Sequence, residues 1–173
     1  KEGACLYDEL TEVDIQKMRE EIDYRTRELR PKLIEDVQTA RAFGDLSENF
    51  EYKAAKREKN RNDSRIRYLE RMIKTARVIP QRETAEDVVG LFDRVEIYLP
   101  EDDEVQTIRL VTTLRQNALE GLISKESPVG RAVLGRRVGD TVRVEVRPDY
   151  GYDVVIRAIE KGRDDDSLAI SRY

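Results

Sequence analysis

The stretch Gly44-Asp45-Leu46-Ser47-Glu48-Asn49 separates two long runs of helical pattern and decides the fold of the first half of the chain. Before it, apolar residues recur every three, four or seven positions, at Ile15, Met18, Ile22, Leu29, Leu33, Val37 and Ala40. After it, a second series has heptad-like spacing, at Ala55, Asn62, Ile66, Leu69, Ile73 and Ala76. Because only a few residues join the two stripes, they predict an antiparallel helical hairpin with this stretch at its tip.

Three details refine the hairpin. Pro31 disfavours helical geometry at Arg30, so we expect a kink rather than two abutting helices, because the apolar stripe keeps its phase. The second helix should end before Val78-Ile79-Pro80 and be on the order of 40 Å long. The apolar positions thin out toward the tip, where Lys59 and Asn62 stand, so weaker packing is expected in that half. Alternatively, a seam of small residues flanked by two aromatic ones can still pack closely: Ala40, Ala54 and Ala55, with Phe50 and Tyr52.

Composition bounds the class of protein. The chain has 173 residues, of which 39% are charged and 39% hydrophobic, which suits an elongated helical element beside a small globular one. The single Cys5 cannot form an internal disulfide, so we expect a reducing compartment, the cytoplasm. The sequence has neither a run of eighteen apolar residues nor an apolar start, so neither a membrane span nor a signal peptide is predicted.

The second half of the chain has the pattern of a sheet. Residues 80–87 are polar and form the expected linker between a hairpin at 8–79 and a domain at 88–161. Four segments predict antiparallel strands, at Val95 to Leu99, Val105 to Val111, Val142 to Val146 and Val154 to Ile159. Ser127, Pro128 and Gly135 are typical of the cap, first residue and stop of a short helix. The acidic tail at 162–173 is expected to be loosely ordered.

Charge is distributed unevenly. The net charge is -4, yet residues 49–77 hold ten Lys or Arg against four Asp or Glu, a net +6, and residues 81–173 have a net charge of -5. The basic residues of the second helix either form a solvated face paired with acids of the first helix or contact a nucleic-acid backbone near Tyr52. They are Lys53, Lys56, Arg57, Lys59, Arg61, Arg65, Arg67, Arg71 and Lys74.

The two acids of the tip admit two interpretations. Asp45 and Glu48 have the spacing of a helix cap, in which Asp45 accepts a backbone N–H and Glu48 reaches back as a capping box. Alternatively, the pair holds a divalent cation. Mg2+ is usually bound by one or two protein carboxylates, with water and phosphate oxygens completing its coordination. Two acids make no tight site alone, so the second interpretation requires a partner that supplies further ligands.

Residue types exclude several kinds of catalysis. The chain has no His and one Cys, so it lacks Ser-His and Cys-His nucleophile systems and a Cys-rich zinc site. It also lacks a glycine-rich phosphate loop. A self-sufficient enzyme is therefore not expected.

The residues around the tip resemble a known motif. The string Ala40-Arg41-Ala42-Phe43-Gly44-Asp45-Leu46-Ser47-Glu48-Asn49-Phe50-Glu51-Tyr52-Lys53-Ala54-Ala55-Lys56 is similar to the tip of the bacterial Gre transcript-cleavage factors. Further matches follow in the family's order, at Arg30-Pro31, at 65–70 and at 123–135. Leu46 favours the GreA branch, although Lys53 stands where that branch usually has histidine.

This resemblance implies an α+β fold, with a coiled-coil hairpin followed by an FKBP-like domain that docks on RNA polymerase. It implies that the hairpin enters the secondary channel of the polymerase and stimulates Mg2+-dependent cleavage of backtracked nascent RNA. Asp45 and Glu48 would then share a Mg2+ with the polymerase, and Ser47 would orient water or RNA. No cofactor would be bound stably by the free chain.

Other functions remain open. Some Gre homologues inhibit the polymerase, so a noncatalytic channel-binding regulator or inhibitor is the main alternative. An FKBP-like domain also suggests a prolyl isomerase, but beyond the linker the aromatic residues are Phe92 and a few tyrosines. A structural adaptor would tolerate any polar tip. We expect a monomer, because the hairpin satisfies its own apolar stripes.

Overall fold

The structure, a computed structural model, describes residues 8–44, 49–165 and 167–172. The chain divides into two compact units, a helical unit that includes residues 15–76 and a sheet unit formed by residues 8–14 and 77–173. Residues 8–14 belong to the sheet unit because strand β1 (Glu9–Leu10) pairs in parallel with β2 (Arg77–Val78). The predicted α+β class, with a helical hairpin followed by a sheet, is confirmed.

The hairpin consists of two antiparallel helical arms. The first arm comprises α1 (Glu12–Tyr24), a π-helical segment (Arg25–Leu29) and α2 (Arg30–Arg41), and the second is α3 (Phe50–Thr75). With 26 residues, α3 is about 39 Å long at about 1.5 Å per residue. It ends before residue 78, as the sequence predicts.

The first arm passes Pro31 without interruption. The π-helical segment lies immediately before the proline, and the backbone N–H of Arg30 donates to the carbonyl of Arg25, five residues earlier. A proline ring clashes with the carbonyl four residues before it in a regular α-helix. The wider π turn gives this region a different bonding pattern. The first arm is therefore one continuous helical run through Pro31, and the alternative of two abutting helices is wrong.

The apolar stripes face inward as the periodicity predicts, and one polar residue lies among them. Met18 and Leu69 are fully buried, and Asn62 is 3% exposed. The Asn62 side chain donates to the Arg25 carbonyl at 3.2 Å and accepts from the Arg25 guanidinium at 2.9 Å. Burying an amide is tolerable only when it is hydrogen-bonded, and these two contacts provide that across the hairpin.

The seam predicted near the tip is only partly present. Ala40 is buried and Ala55 half-buried, whereas Ala54 is exposed. Phe50 is 82% exposed, so the alternative in which it flanks a closely packed seam is wrong. Position 50 lies outside the inward stripe of α3, which sequence spacing extends back only to Ala55.

Besides the β1-β2 pair, the described residues of the sheet unit form a five-stranded sheet in the order β5-β4-β3-β7-β6. Their bounds are β3 (Arg94–Leu99), β4 (Glu104–Val111), β5 (Leu122–Ser124), β6 (Thr141–Arg147) and β7 (Tyr150–Glu160). The four predicted strands pair in the antiparallel sense, which confirms the prediction, and β5, which the sequence pattern did not predict, adds a parallel pairing with β4 at one edge. The two 3-10 turns between β4 and β5 give the chain enough length to return in the same direction.

One face of the sheet forms the core with the short helix α4 (Pro128–Val133). Alternating residues such as Val95, Ile97, Val142 and Val144 are buried there, as the period of two predicts. The predicted cap is confirmed, because the Ser127 hydroxyl accepts the backbone N–H of Gly130 at 3.1 Å. A Cβ at Gly130 would lie 2.2 Å from the Ser124 carbonyl oxygen, so only glycine allows this close approach.

The tail was expected to be loosely ordered, but two of its described residues, Asp164 and Leu168, are packed against the sheet unit. Arg115 is fully buried and contacts Asp164 of the tail at 2.5 Å and Asp14 at 2.7 Å. Leu168 packs against the buried cluster around Phe92. The expectation failed because a run of aspartates looks solvated, whereas the cation that neutralises Asp164 lies far away in sequence.

Candidate functional site at the hairpin tip

The predicted site residues Asp45, Ser47 and Glu48 lie outside the described residues, as does Leu46. The site is therefore built from the residues on either side. The first arm ends at Arg41, and Gly44 has φ of 136°, a conformation that a residue with a Cβ adopts only with strain. The second arm begins at Phe50.

Asn49 is the cap of the second arm. Its side-chain oxygen accepts the backbone N–H of Tyr52 at 2.9 Å, and its backbone is extended, as is usual for a cap. The prediction that Asp45 caps this helix, with Glu48 completing a capping box, is wrong. The helix starts four residues later than the Asp45 spacing indicates, and asparagine is as good a cap as aspartate.

Asn49 also closes the base of the tip. Its side-chain NH2 donates to the carbonyl of Ala40 at 2.8 Å, and the backbone N–H of Phe43 donates to the same carbonyl at 3.2 Å. One oxygen thereby ties the end of the first arm to the start of the second. The sequence carries a signal for this closure, since asparagine both accepts and donates, which aspartate does not.

The predicted nucleic-acid contacts fall into two groups. Lys53, Lys56 and Arg57 are exposed, and Lys53 lies 5.9 Å from the centre of the Phe50 ring. Within the described part of the chain, no acidic partner is found for these three. By contrast, Arg61 pairs with Glu58 at 2.9 Å, and Tyr52 is half-buried. The three cations nearest the tip are therefore available to a partner.

The base of the hairpin uses its charges internally. Glu21 on the first arm contacts Arg25 at 2.7 Å and Arg65 on the second arm at 2.9 Å. Burial raises the pKa of Glu21, but the guanidinium groups of Arg65 and Arg25 outweigh it, so its pKa is lowered from the ordinary value. Arg30 likewise pairs with Asp63 across the arms at 3.1 Å. Pairing of the basic face with acids of the first arm is thus confirmed for Arg65.

The rest of the described chain offers little chemistry. Over residues 8–44, 49–165 and 167–172, no three His, Cys, Asp or Glu side chains come together to hold a metal ion. The same residues include no helix both long and apolar enough to cross a membrane. A cavity of about 420 Å³ in the sheet unit has a polar lining that includes Glu83, Thr84, Asp93 and Lys161, while Phe92 is fully buried in the core. This lining does not suit a prolyl side chain.

Comparison with known proteins gives the same order of parts. Residues 9–78 match the family model described as transcription elongation factor, N-terminal, and residues 83–161 match transcription elongation factor GreA/GreB, C-terminal. The chain is 40% identical over 136 residues to transcription elongation factor GreA of Geobacillus kaustophilus, covering 79% of this chain and 86% of that protein. It is 36% identical over 146 residues to GreA of Streptococcus pneumoniae, covering 84% and 91%.

Among solved structures, GreA factor homolog 1 of Thermus thermophilus is 27% identical, with 90% of this chain and 99% of that chain covered and a TM-score of 0.40. The sequence matches define the class of protein, a transcription elongation factor with a helical hairpin. The chain belongs to the GreA/GreB family, and its function is that of a transcription elongation factor of the GreA type.

Proposed function

We propose that the chain binds RNA polymerase through the secondary channel and stimulates the polymerase's own cleavage of backtracked nascent RNA. In this proposal α3 and the first arm carry Asp45 and Glu48 to the catalytic centre, while the domain at 88–161 docks outside the channel. The chain acts as a monomer and contacts the nascent RNA 3' end, and it supplies groups to the polymerase without being an enzyme by itself.

The observation that carries this proposal is the cap at Asn49. Because Asn49 accepts the N–H of Tyr52, α3 does not need Asp45 or Glu48 for its first turn. Two carboxylates three positions apart in the sequence repel one another as like charges, so keeping both ionised close together carries an energetic cost. Their presence is explained if they meet a cation at the far end of the channel.

The donor set fits a shared Mg2+. Two carboxylates are what proteins commonly contribute to Mg2+, and phosphate oxygens and water complete the coordination. Mg2+ held there would neutralise developing charge and lower the pKa of a bound water. Asp45 and Glu48 would provide oxygen ligands, and Ser47 would orient water or RNA by its hydroxyl. The exposed Lys53, Lys56 and Arg57 would contact RNA phosphates, with weaker contributions from Tyr52 and Arg61.

Cleavage by stalled polymerase tests the proposal. Complexes backtracked by a few nucleotides are mixed with wild type, Asp45→Asn or Glu48→Gln, and the release of short 3' RNA is measured against Mg2+ concentration. We expect wild type to stimulate release and each variant to lose roughly 100-fold or more, the scale of removing a group that stabilises transition-state charge. Glu51→Gln, which changes an exposed carboxylate in the first turn of α3, is the matched control.

The alternatives give different results. A wild type that binds the complex without releasing RNA would be a noncatalytic channel-binding regulator. Variants that match wild type would show that the tip acids have no part in cleavage.

A further inference from the structure

Two aromatic side chains are exposed on either side of the tip. Phe43 is 75% exposed and Phe50 is 82% exposed, whereas Phe92, the third phenylalanine, is fully buried. Large apolar side chains are normally removed from water. Two of them at one end of a hairpin form a surface that gains from a partner with flat apolar faces.

Their backbones are held in place by the closure of the tip. The N–H of Phe43 and the side chain of Asn49 donate to the same Ala40 carbonyl, at 3.2 Å and 2.8 Å. Phe50 follows Asn49 directly and is the first residue of α3. Both aromatic residues therefore adjoin the hydrogen bonds that join the two arms at the Ala40 carbonyl.

The charge beside them identifies the partner's chemistry. Lys53 lies 5.9 Å from the centre of the Phe50 ring, and Lys56 and Arg57 continue the exposed positive charge along α3. An apolar protein pocket would have to desolvate these cations. Single-stranded nucleic acid instead combines flat bases with phosphates, and proteins bind it with aromatic side chains beside basic ones. The surface thus matches unpaired RNA better than a protein groove.

We propose that Phe43 and Phe50 stack on unpaired bases at the 3' end of nascent RNA. This inference rests on the proposed function, because backtracking is what would bring unpaired RNA to the tip. The aromatic rings would hold bases, while Lys53 and its neighbours would hold phosphates. Such a surface would make the factor sensitive to the presence of a base, beyond the charge of the RNA backbone.

A comparison of normal and abasic RNA tests the stacking. Backtracked complexes are prepared with either ordinary nucleotides or abasic ones in the extruded 3' segment. The factor concentration that gives half-maximal cleavage is then measured for wild type, Phe43→Leu and Phe50→Leu. We expect each leucine variant to need roughly five- to tenfold more factor on normal RNA, near the low end of base–aromatic stacking, and to match wild type on abasic RNA.

Two further variants separate stacking from other effects. Phe50→Trp retains an aromatic face and should restore the normal concentration. Tyr24→Leu removes a 52% exposed aromatic side chain from the base of the same hairpin and should have no effect. Equal losses for the leucine variants on both RNAs would overturn the proposal in favour of an apolar contact with the polymerase, and the absence of any loss would also overturn it.

A second readout does not depend on cleavage. With 2-aminopurine at the RNA 3' end and no Mg2+, wild type should quench the fluorescence by stacking, and Phe43→Leu with Phe50→Leu should not. Quenching in this assay, together with no RNA release by the same complexes once Mg2+ is added, would preserve the stacking proposal while the proposed cleavage function fails. No quenching by wild type would overturn the stacking proposal alone.

Discussion

The hairpin has a base half, around residues 21–25 and 62–65, and a tip half, around residues 43–57. Polar side chains bind one another in the base half and are exposed in the tip half. In the base half, Glu21 and Arg65 pair across the arms, and Asn62 hydrogen-bonds to Arg25. In the tip half, Phe43 and Phe50 are exposed, and nearby cations have no acidic partner among the described residues. In the base half, these polar groups bind one another and hold the two arms together. In the tip half, the exposed cations and phenylalanines remain available, as a surface that binds a partner requires.

The largest expected effect on stability comes from the base half. Glu21→Gln removes the charge that faces both Arg25 and Arg65, leaving two partly buried guanidinium groups without their counterion. We expect a loss of about 2 kcal/mol in the free energy of unfolding, since hydrogen bonds to charged groups contribute about 1.5–3 kcal/mol. Denaturant unfolding followed by far-UV circular dichroism measures it. Glu35→Gln, an exposed acid on α2, is the control and should change stability little.

The same substitution predicts a pH dependence. The ordinary pKa of a glutamate is 4.5, and in the folded hairpin the pKa of Glu21 is below that value. Its contribution to stability is therefore full above the ordinary pKa and is lost as the pH falls through the folded pKa. The stability difference between wild type and Glu21→Gln should therefore be constant near neutrality and shrink below about pH 4.5. A difference that grows in acid would contradict the assignment. Unfolding curves between pH 3 and pH 7 distinguish the two outcomes.

A smaller effect on the free energy of unfolding is expected at Asn49, which joins the two arms at the tip. Asn49→Ala removes both the cap of α3 and the contact with the Ala40 carbonyl, which should cost about 1 kcal/mol. Asn49→Asp keeps the acceptor for the Tyr52 N–H but loses the donor, so it should recover most of the cap and none of the closure. Thermal unfolding of the three proteins separates these terms. Equal stability of all three would show that Asn49 is not the working cap.

The smallest change in stability is expected in the tip half. Lys56→Ala combined with Arg57→Ala should alter the free energy of unfolding by less than about 0.5 kcal/mol, because exposed residues away from special contacts rarely matter. The same change should raise the factor concentration needed for RNA cleavage several-fold at low salt and less at high salt. Lys74→Ala, an exposed cation in the last turn of α3, is the control. A salt-independent loss would contradict a phosphate contact.

The helices and strands are largely predictable because their periods are local. The stripe on α3 and the alternation in β3 and β6 follow from spacing alone, and the Ser127 cap follows from its neighbours. The prediction failed where two local solutions compete. Asp45 and Asn49 are both good caps, and only the fold reveals that Asn49 is used, since it also reaches Ala40.

The candidate site was predictable as a motif but not as a surface. The tip motif places two acids and several cations together in the sequence, yet nine basic residues of α3 look alike there. Arg65 is occupied by Glu21, and Arg61 by Glu58, while Lys56 and Arg57 remain exposed. The exposure of Phe50 was also missed, because aromatic residues near a predicted seam are usually packed.

Patterns along the chain were enough to specify a hairpin, a sheet and an acidic tip, because repeats of 3.5 or two residues are read within a single element. Tertiary structure alone decided which polar groups pair with one another inside the protein. Asn62 is 37 residues from Arg25, Arg65 is 44 from Glu21, and Arg115 is 101 from Asp14. Pairing depends on the distance between side chains in space and on their removal from water, and neither quantity is encoded in local spacing.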